Sequence, residues 1–192
     1  KHKVEFKDNK IYPMISDHQT ISICQDKWLF YKLLQENKIK TPKSFLFLKN
    51  IINKNKKFII KERNALSKNK TYYKNINFKD LRNKILLFKK PIIQEYILGK
   101  EISIDIFIKN KVISKDHIIM RYRDNVKFGE SEKTTIFKNN SFLKEIINLL
   151  KLFNFEGHIM FQAIISKKRI SIIECNPRIG GASVSSMVWG LD

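Results

Sequence analysis

The strongest constraint on what this chain can fold into lies in residues 157–183, GHIMFQAIISKKRISIIECNPRIGGAS. Two apolar runs of strand character, His158 to Ile165 and Ile170 to Cys175, flank the polar break Ser166-Lys167-Lys168-Arg169. That pattern predicts a β-hairpin. With Lys167-Lys168-Arg169 as its loop, Gln162 lies directly across from Glu174, about 5 Å away by Cβ. Side chains alternate along a strand, so Glu174 and Asn176 share one face while Cys175 turns to the core. The hairpin thus gathers two amide oxygens and a carboxylate at one point, with Arg178 just beyond. Such donors suit a hard cation like magnesium, which takes few protein ligands and fills its shell with water and phosphate oxygens. A carboxylate on an Ile-rich strand is costly to bury unless it is paired or metal-bound. The same residues also read as the end of an edge strand facing water. The Asn176-Pro177-Arg178 turn and the Gly180-Gly181 pair favour a site.

Upstream, helix and strand signals mix. Residues 1–13 are polar with little pattern and read as a connector. Asp26 to Asn37 predicts a helix with the stripe Leu29, Phe30, Leu33 and Leu34, stopped by Thr41-Pro42. Ser44 to Leu48 and Lys57 to Lys61 predict strands. A lysine ending a buried strand, as Lys61 does, can pack its stem on apolar neighbours and leave its ammonium free to meet an anion such as phosphate. Asn77 to Phe88 predicts a helix, and Pro91 opens a strand over 92–97. The strand Glu101 to Ile108 puts Ile102, Ile104, Ile106 and Ile108 on one face. Glu101, Ser103 and Asp105 share the other, which reads as solvent-exposed, the alternative being the lining of a polar site. Val112 to Tyr122 and Thr134 to Phe137 predict further strands. Arg121 and Arg123, two apart, share a face. Asn140 or Ser141 caps a helix whose stripe is Phe142, Ile146, Leu149, Leu150 and Phe153.

Composition limits the function classes. The 192 residues hold one domain or two small lobes, and 43% are hydrophobic, as in a globular chain. No apolar run has the length of a membrane span. The two cysteines, Cys24 and Cys175, lack metal or redox spacing and read as free thiols of a reducing, cytoplasmic setting. His2, His18, His117 and His158 are scattered, so neither a zinc site nor a histidine-activated nucleophile is expected. The net charge of +20, from 38 basic and 18 acidic residues, suits a polyanion partner. Yet the lysines are spread among asparagines and isoleucines, as AT-rich codons alone would give. Nucleic acid is therefore the lesser alternative and not the expected partner.

Several motifs resemble one family. Gln162 with Glu174-x-Asn176-Pro177-Arg178 and Gly180-Gly181 resembles the metal-binding end of an ATP-grasp ligase, nearest the carbamoyl-phosphate-synthase-like branch of carboxylate–amine ligases. The string Q-E-Y-I-x-G-K-E-x-S-x-D from Gln94 to Asp105 resembles the hinge between that family's lobes. Gln25-Asp26-Lys27-Trp28 with Thr41-Pro42 resembles its entry, and Arg121-x-Arg123 before Gly129-Glu130-Ser131 resembles this branch.

The resemblance spans residues 15 to 192 and implies an α+β ATP-grasp fold, two α/β lobes clamping a nucleotide between antiparallel sheets. It implies a connector at 1–14 from a preceding Rossmann-like domain, a small lobe over 43–97, a large lobe over 98–192, and a chain truncated at both ends. The implied activity is an ATP-dependent ligase that activates a carboxylate as an acyl phosphate for attack by an amine. ATP and magnesium, or manganese in its place, are the implied cofactors, with small-molecule carboxylate and amine substrates, no membrane partner and room for a homodimer.

By that likeness Lys27, Lys61, Ser67 and Lys68 contact phosphate, and Gln94 with the backbone of Glu95 and Ile97 contacts adenine. Glu101, an acceptor-only group, takes the ribose hydroxyls. Gln162, Glu174 and Asn176 hold metal. Arg178 steadies the transferred group, and Arg121 and Arg123 meet the substrate carboxylate or the transferred phosphate, arginine matching both bidentately. Surface charge is the other reading of that arginine pair. The stretch after Lys61 departs from the family: residues 62–70 contain no glycine, and Glu62 stands where proline is usual. Arg63 and Lys68 supply charge instead. This departure raises the alternative of a relative that binds ATP and turns it over weakly.

Overall fold

The structure, a computed structural model, describes residues 3–64, 72–127, 130–138 and 140–191. Two aspartates start its first long helices, because a carboxylate satisfies the backbone N–H groups that a helix leaves orphaned. Asp17 accepts from Thr20 N at 2.7 Å and opens α2 (His18–Gln25). Asp26 accepts from Trp28 N and Leu29 N and opens α3 (Lys27–Glu36), ended by Asn37. Phe30 and Leu34, one turn apart, are buried. A short helix, α1 (Lys3–Asp8), lies inside the expected connector. Helix α2 escaped the sequence reading because it buries only Thr20 and Cys24 and so carries no apolar stripe.

A four-stranded antiparallel sheet follows. Its strands are β1 (Ser44–Phe45), β2 (Lys57–Glu62), β3 (Tyr72–Asn77) and β4 (Pro91–Glu95), in the order β1-β4-β2-β3. Helix α4 (Phe78–Ile85) covers one face, where Phe58, Ile60, Ile76, Leu81 and Ile93 form a buried cluster. The strand expected over 44–48 is cut to two residues, because Leu48–Asn50 turns into a 3-10 helix. Strand β3, YYKNIN, shows no apolar alternation. Pairing with β2, not its own pattern, makes it a strand. The helix expected over 77–88 ends at Ile85.

The second sheet has five antiparallel strands: β5 (Lys100–Ile108), β6 (Ile118–Lys127), β7 (Glu130–Phe137), β8 (Gly157–Ser166) and β9 (Arg169–Asn176), in the order β7-β6-β5-β8-β9. One face buries Ile102, Ile104, Ile106, Phe161, Ile172 and Cys175 with α3 and with α5 (Leu143–Leu150) in the larger core. The strand expected from Val112 starts at Ile118, since Ser114 caps a 3-10 turn over Lys115–His117. The helix expected from Asn140 or Ser141 starts instead at Leu143, after a 3-10 turn, with no side-chain cap at Phe142. The chain then ends in α6 (Val184–Val188).

Between the sheets the linker passes close over β8. A Cβ on Gly99 would stand 2.4 Å from the Ile165 carbonyl oxygen, so only glycine fits there. Among the described residues no helix is long and apolar enough to cross a membrane.

The β8–β9 hairpin corrects one expectation and keeps another. Its loop is two residues, Lys167 and Lys168, both left-handed at φ 46° and 60°, and Arg169 already pairs with Ser166. Such a turn matches the twist of the flanking strands. On that register Ile173 would face Gln162 and Glu174 would point into the core. The register shifts between Gln162 and Ala163, with Ile173 as the extra residue of a β-bulge, and Gln162 pairs with Glu174 after all. Ile170, Ile172 and Cys175 therefore go to the core, and Glu174 and Asn176 to the opposite face. Bulges re-aim side chains in this way.

Candidate functional site

The face of the large sheet opposite its core carries two rows of polar residues. Strand pairing aligns Arg121 on β6, Ser103 on β5, Gln162 on β8 and Glu174 on β9 in one row. The next row holds Asp105, Met160 and Asn176. Glu101 lies one step the other way, its oxygen 3.1 Å from Arg123 Nε.

The small sheet faces these rows. Lys61, the penultimate residue of β2, brings its Nζ to 3.9 Å from Glu174 Oε2. Lys27, in the first turn of α3, brings its own to 4.0 Å of the same oxygen. Lys74 on β3 reaches Glu101 at 3.4 Å. The two carboxylates of the cleft are thus each met by lysines from outside their own sheet. Burial alone would raise the Glu174 carboxyl; the Lys61 and Lys27 ammonium groups, and a hydrogen bond from Asn176, hold it below the ordinary carboxylate range. Burial also depresses the Lys61 ammonium to about 8, against the opposing pull of Glu174.

Lys27 is held in place by its neighbour. The Asp26 carboxylate that caps α3 also takes Arg63 Nε at 2.7 Å and Nη2 at 2.6 Å, a bidentate pair. Lys27 N donates to the Arg63 carbonyl, and Arg63 N to that of Lys90. The start of α3 is thereby fastened to the end of β2. Glu62, at the family's usual proline position, accepts from Lys89 N and Lys90 N at 2.8 and 3.1 Å and fixes the entry to β4.

The sequence profile of the ATP-grasp domain matches residues 24–182. The chain belongs to the ATP-grasp family. No protein of curated function matches it in sequence. Among solved structures it is similar to an L-amino acid ligase from Bacillus licheniformis (TM-score 0.70, 19% identity, 97% of this chain and 48% of that one). It is similar to N5-carboxyaminoimidazole synthetase from Staphylococcus aureus complexed with ADP (TM-score 0.73, 18% identity, 94% and 52%). A D-alanine–D-alanine ligase from Bacillus anthracis complexed with ATP is also similar (TM-score 0.65, 18% identity, 98% and 68%). The chain spans about half the length of the first two. At these identities the likeness is one of fold, and the α+β ATP-grasp architecture expected from the sequence is the one found.

Within this ATP-grasp chain the expected site residues separate into groups. Lys27, Lys61, Glu174, Asn176 and Gln162 converge at one end of the cleft, and Glu101 with Arg123 lies farther along the same face. Arg178 is exposed just past Asn176, its Nη1 donating to the Ile179 carbonyl at 2.9 Å. Gln94 is buried, and its amide donates to Ser44 Oγ at 3.1 Å, so its side chain braces β1 against β4. The Glu95 N–H goes to the Lys43 carbonyl and its carboxylate to Lys56 at 2.7 Å; Ile97 is half-buried in the linker. Ser67 and Lys68 lie outside the described residues.

Ser103 and Asp105, read as solvent-exposed, are instead 0% and 1% exposed. The reason is Arg121, also 1% exposed, whose Nε sits 2.6 Å from Asp105 Oδ2. Ser186 Oγ donates to the same oxygen at 2.7 Å, and Ser183 Oγ to the other. Asp105, paired with Arg121, is thus the core of a strut joining the sheet to the 180–188 segment, while Arg123, 5% exposed, reaches Ser103 and Glu101. The structure adds Lys74, Asp105, Ser183 and Ser186 to the residues around the cleft. Only Asp105, a carboxylate alternating with isoleucines, left a trace in the sequence.

Proposed function

We propose that this chain is the nucleotide-clamping part of an ATP-dependent carboxylate–amine ligase. The observation that carries the reading is the meeting at Glu174 of Lys27 and Lys61, brought from three separate segments to within 4.0 Å. Two ammonium groups around one carboxylate match a triphosphate with its bridging cation, where positioning and charge stabilisation supply most of the catalysis. The names of the similar structures, two ligases and a synthetase, support the same reaction class.

Magnesium fits the donor set. Glu174, Asn176 and Gln162 offer oxygen alone, and one carboxylate with two amides leaves positions for phosphate oxygens. Among the described residues no three acidic, histidine or cysteine groups are placed to hold a metal; water and phosphate oxygens would complete the cation's shell. When bound, it would neutralise charge on the phosphates. Lys27 and Lys61 would turn from Glu174 to the phosphate oxygens, and Glu101 from Lys74 to the ribose hydroxyls. Arg178, at the rim, would steady the transferred group. A substrate carboxylate oxygen then attacks the γ-phosphorus and the bond to the β-bridging oxygen breaks, giving ADP and an acyl phosphate. An amine adds to the acyl carbon, loses a proton and expels phosphate, forming an amide.

Calorimetry of ATP binding with and without magnesium, on the wild type and on Glu174→Ala, tests this reading. Magnesium-dependent binding that the substitution weakens supports it. No binding at millimolar ATP, repeated on any longer form of the protein, removes it. ATP binding without ADP release on any carboxylate–amine pair would favour the weakly catalytic relative, the reading that the glycine-free stretch 62–70 suggests.

A further inference from the structure

The cleft does not account for the charge of +20. Its lysines, Lys27, Lys61 and Lys74, each face a carboxylate. A second set of cations gathers elsewhere, around a groove of about 680 Å³ between the segment that follows α3 and the β8–β9 turn. Lys38, Lys40, Lys43, Lys167 and Arg169 make up five of its ten lining residues, and none of the ten is acidic. Lys and Arg are 38 of 192 residues in the whole chain, one in five, so composition spread evenly would place two there. All five are exposed, and among the described residues none of them has an ion pair.

The cations sit on a fixed frame. Ile172 N donates to the Lys40 carbonyl at 2.8 Å and Ile39 N to that of Leu34 at 2.9 Å, which fastens the segment between β9 and α3. Lys38 at φ 57° and Lys167 at φ 46° are left-handed, as is Lys168 at the tip of the turn, where glycine or asparagine is the easier residue. Lys10 and Lys111 share that conformation elsewhere, so three of the five left-handed lysines among the described residues border this groove. From Arg169 to Glu174 along β9 is about 16 Å at the usual rise, which sets the groove apart from the cleft.

We propose that the groove is a second binding site, for the sugar–phosphate backbone of a single nucleic-acid strand, held without regard to sequence. Besides its cations the groove offers Thr41, Ser166, Ser171 and Gln35, the hydroxyl and amide donors that contact phosphate and sugar. It has no aromatic residue on which bases could stack, so the contact is with the backbone. An acidic peptide would share the charge. Peptide recognition also needs apolar pockets or a free strand edge, and here Ile39 is the one apolar lining residue while the Lys40 carbonyl covers β9 at Ile172. The site stands independently of the nucleotide reading of the cleft.

Fluorescence anisotropy with a fluorescein-labelled oligo-dT and an RNA of equal length, titrated at several salt concentrations, tests it. One variant removes groove charge, Lys38→Gln with Lys167→Gln and Arg169→Gln. A control removes the same charge from another exposed stretch, Lys109→Gln with Lys111→Gln and Lys115→Gln. The groove variant should lose affinity at least about tenfold and flatten the slope of log K against log salt by about two, three phosphate contacts at about 0.7 each. The control should keep affinity within about threefold. Equal loss in both variants would mean diffuse attraction to a basic chain and would overturn the proposal. So would displacement of the oligonucleotide by millimolar ATP, absence of binding at low salt, or capture of polyglutamate in preference to the oligonucleotides.

Discussion

The cleft and the groove are both rich in lysine, yet they treat charge in opposite ways. In the cleft, Lys27 and Lys61 are only 13% and 14% exposed and converge on a single carboxylate, Glu174. In the groove, Lys38, Lys167 and Arg169 are exposed and no carboxylate lines the walls. A buried ammonium without a partner is strongly penalised, so the cleft is built around Glu174 even before any ligand arrives. Exposed ammonium groups need no partner, because water and salt screen them. The lesson is that substitutions in the cleft should change folding and binding together, whereas those in the groove should change binding alone.

The largest expected effect is on chemistry. Glu174→Gln keeps the shape but removes the one negative charge between the two lysines, and ADP release should fall by about 10²–10³-fold. Retained magnesium-dependent turnover would show that the carboxylate is not the cation's seat. The largest effect on stability belongs to the strut beside the cleft. Asp105→Asn strands the Arg121 guanidinium in the interior and should cost about 3–5 kcal/mol in chemical denaturation. Combining it with Arg121→Met should restore most of that loss. If the double variant is no more stable than the single, the pair is not what sets the cost.

An intermediate effect depends on pH. The folded Lys61 ammonium titrates at about 8, below the 10.5 of an unfolded lysine. Between these values the unfolded chain binds more protons, so stability should rise with pH from about 8 to 10.5, and the full penalty applies below about 8. Nucleotide affinity should do the reverse and weaken as pH climbs through about 8, because phosphate needs the charged form. Lys61→Arg should abolish that limb in calorimetry across pH 7 to about 9.5. The smallest effect is at Lys74. Its pair with Glu101 is partly exposed, so Lys74→Gln should change stability by less than about 1 kcal/mol. Releasing Glu101 from Lys74, with Arg123 still beside it, should tighten nucleotide binding about twofold to fivefold. Weaker binding would make Lys74 a ligand contact, which would move it into the same class as Lys61.

Much of this was legible in the chain, for reasons that differ from element to element. Helix α3 was readable because its cap, its stripe and its stop are all local. The opposition of Gln162 and Glu174 was reached through a loop one residue too long, and Ile173 supplied the compensating residue. Pairing depends on the count of residues in between, and the hairpin moves one from the turn to the bulge. Strand β3 could not be read, since YYKNIN has neither alternation nor apolar run and is made a strand by β2. Asp105 was assigned to water because the groups that hold it, Arg121, Ser183 and Ser186, lie 16, 78 and 81 residues away. Gln94, read as an adenine contact, is turned inward by Ser44, fifty residues before it. Local signals place the elements; the partners of buried polar groups come from pairings that no window of sequence contains.

The bond from Ile172 N to the Lys40 carbonyl also bears on assembly. Strand β9 is the last strand of its sheet, and an open edge invites a second chain to continue the ladder. Here one of its outward N–H groups is already taken by a neighbouring stretch, and lysines and an arginine crowd the turn above it. Two copies approaching along this edge would meet like charge and a blocked ladder. At Ile172 the outward ladder of the sheet is therefore closed by the chain's own Lys40 carbonyl and not left open to a second strand.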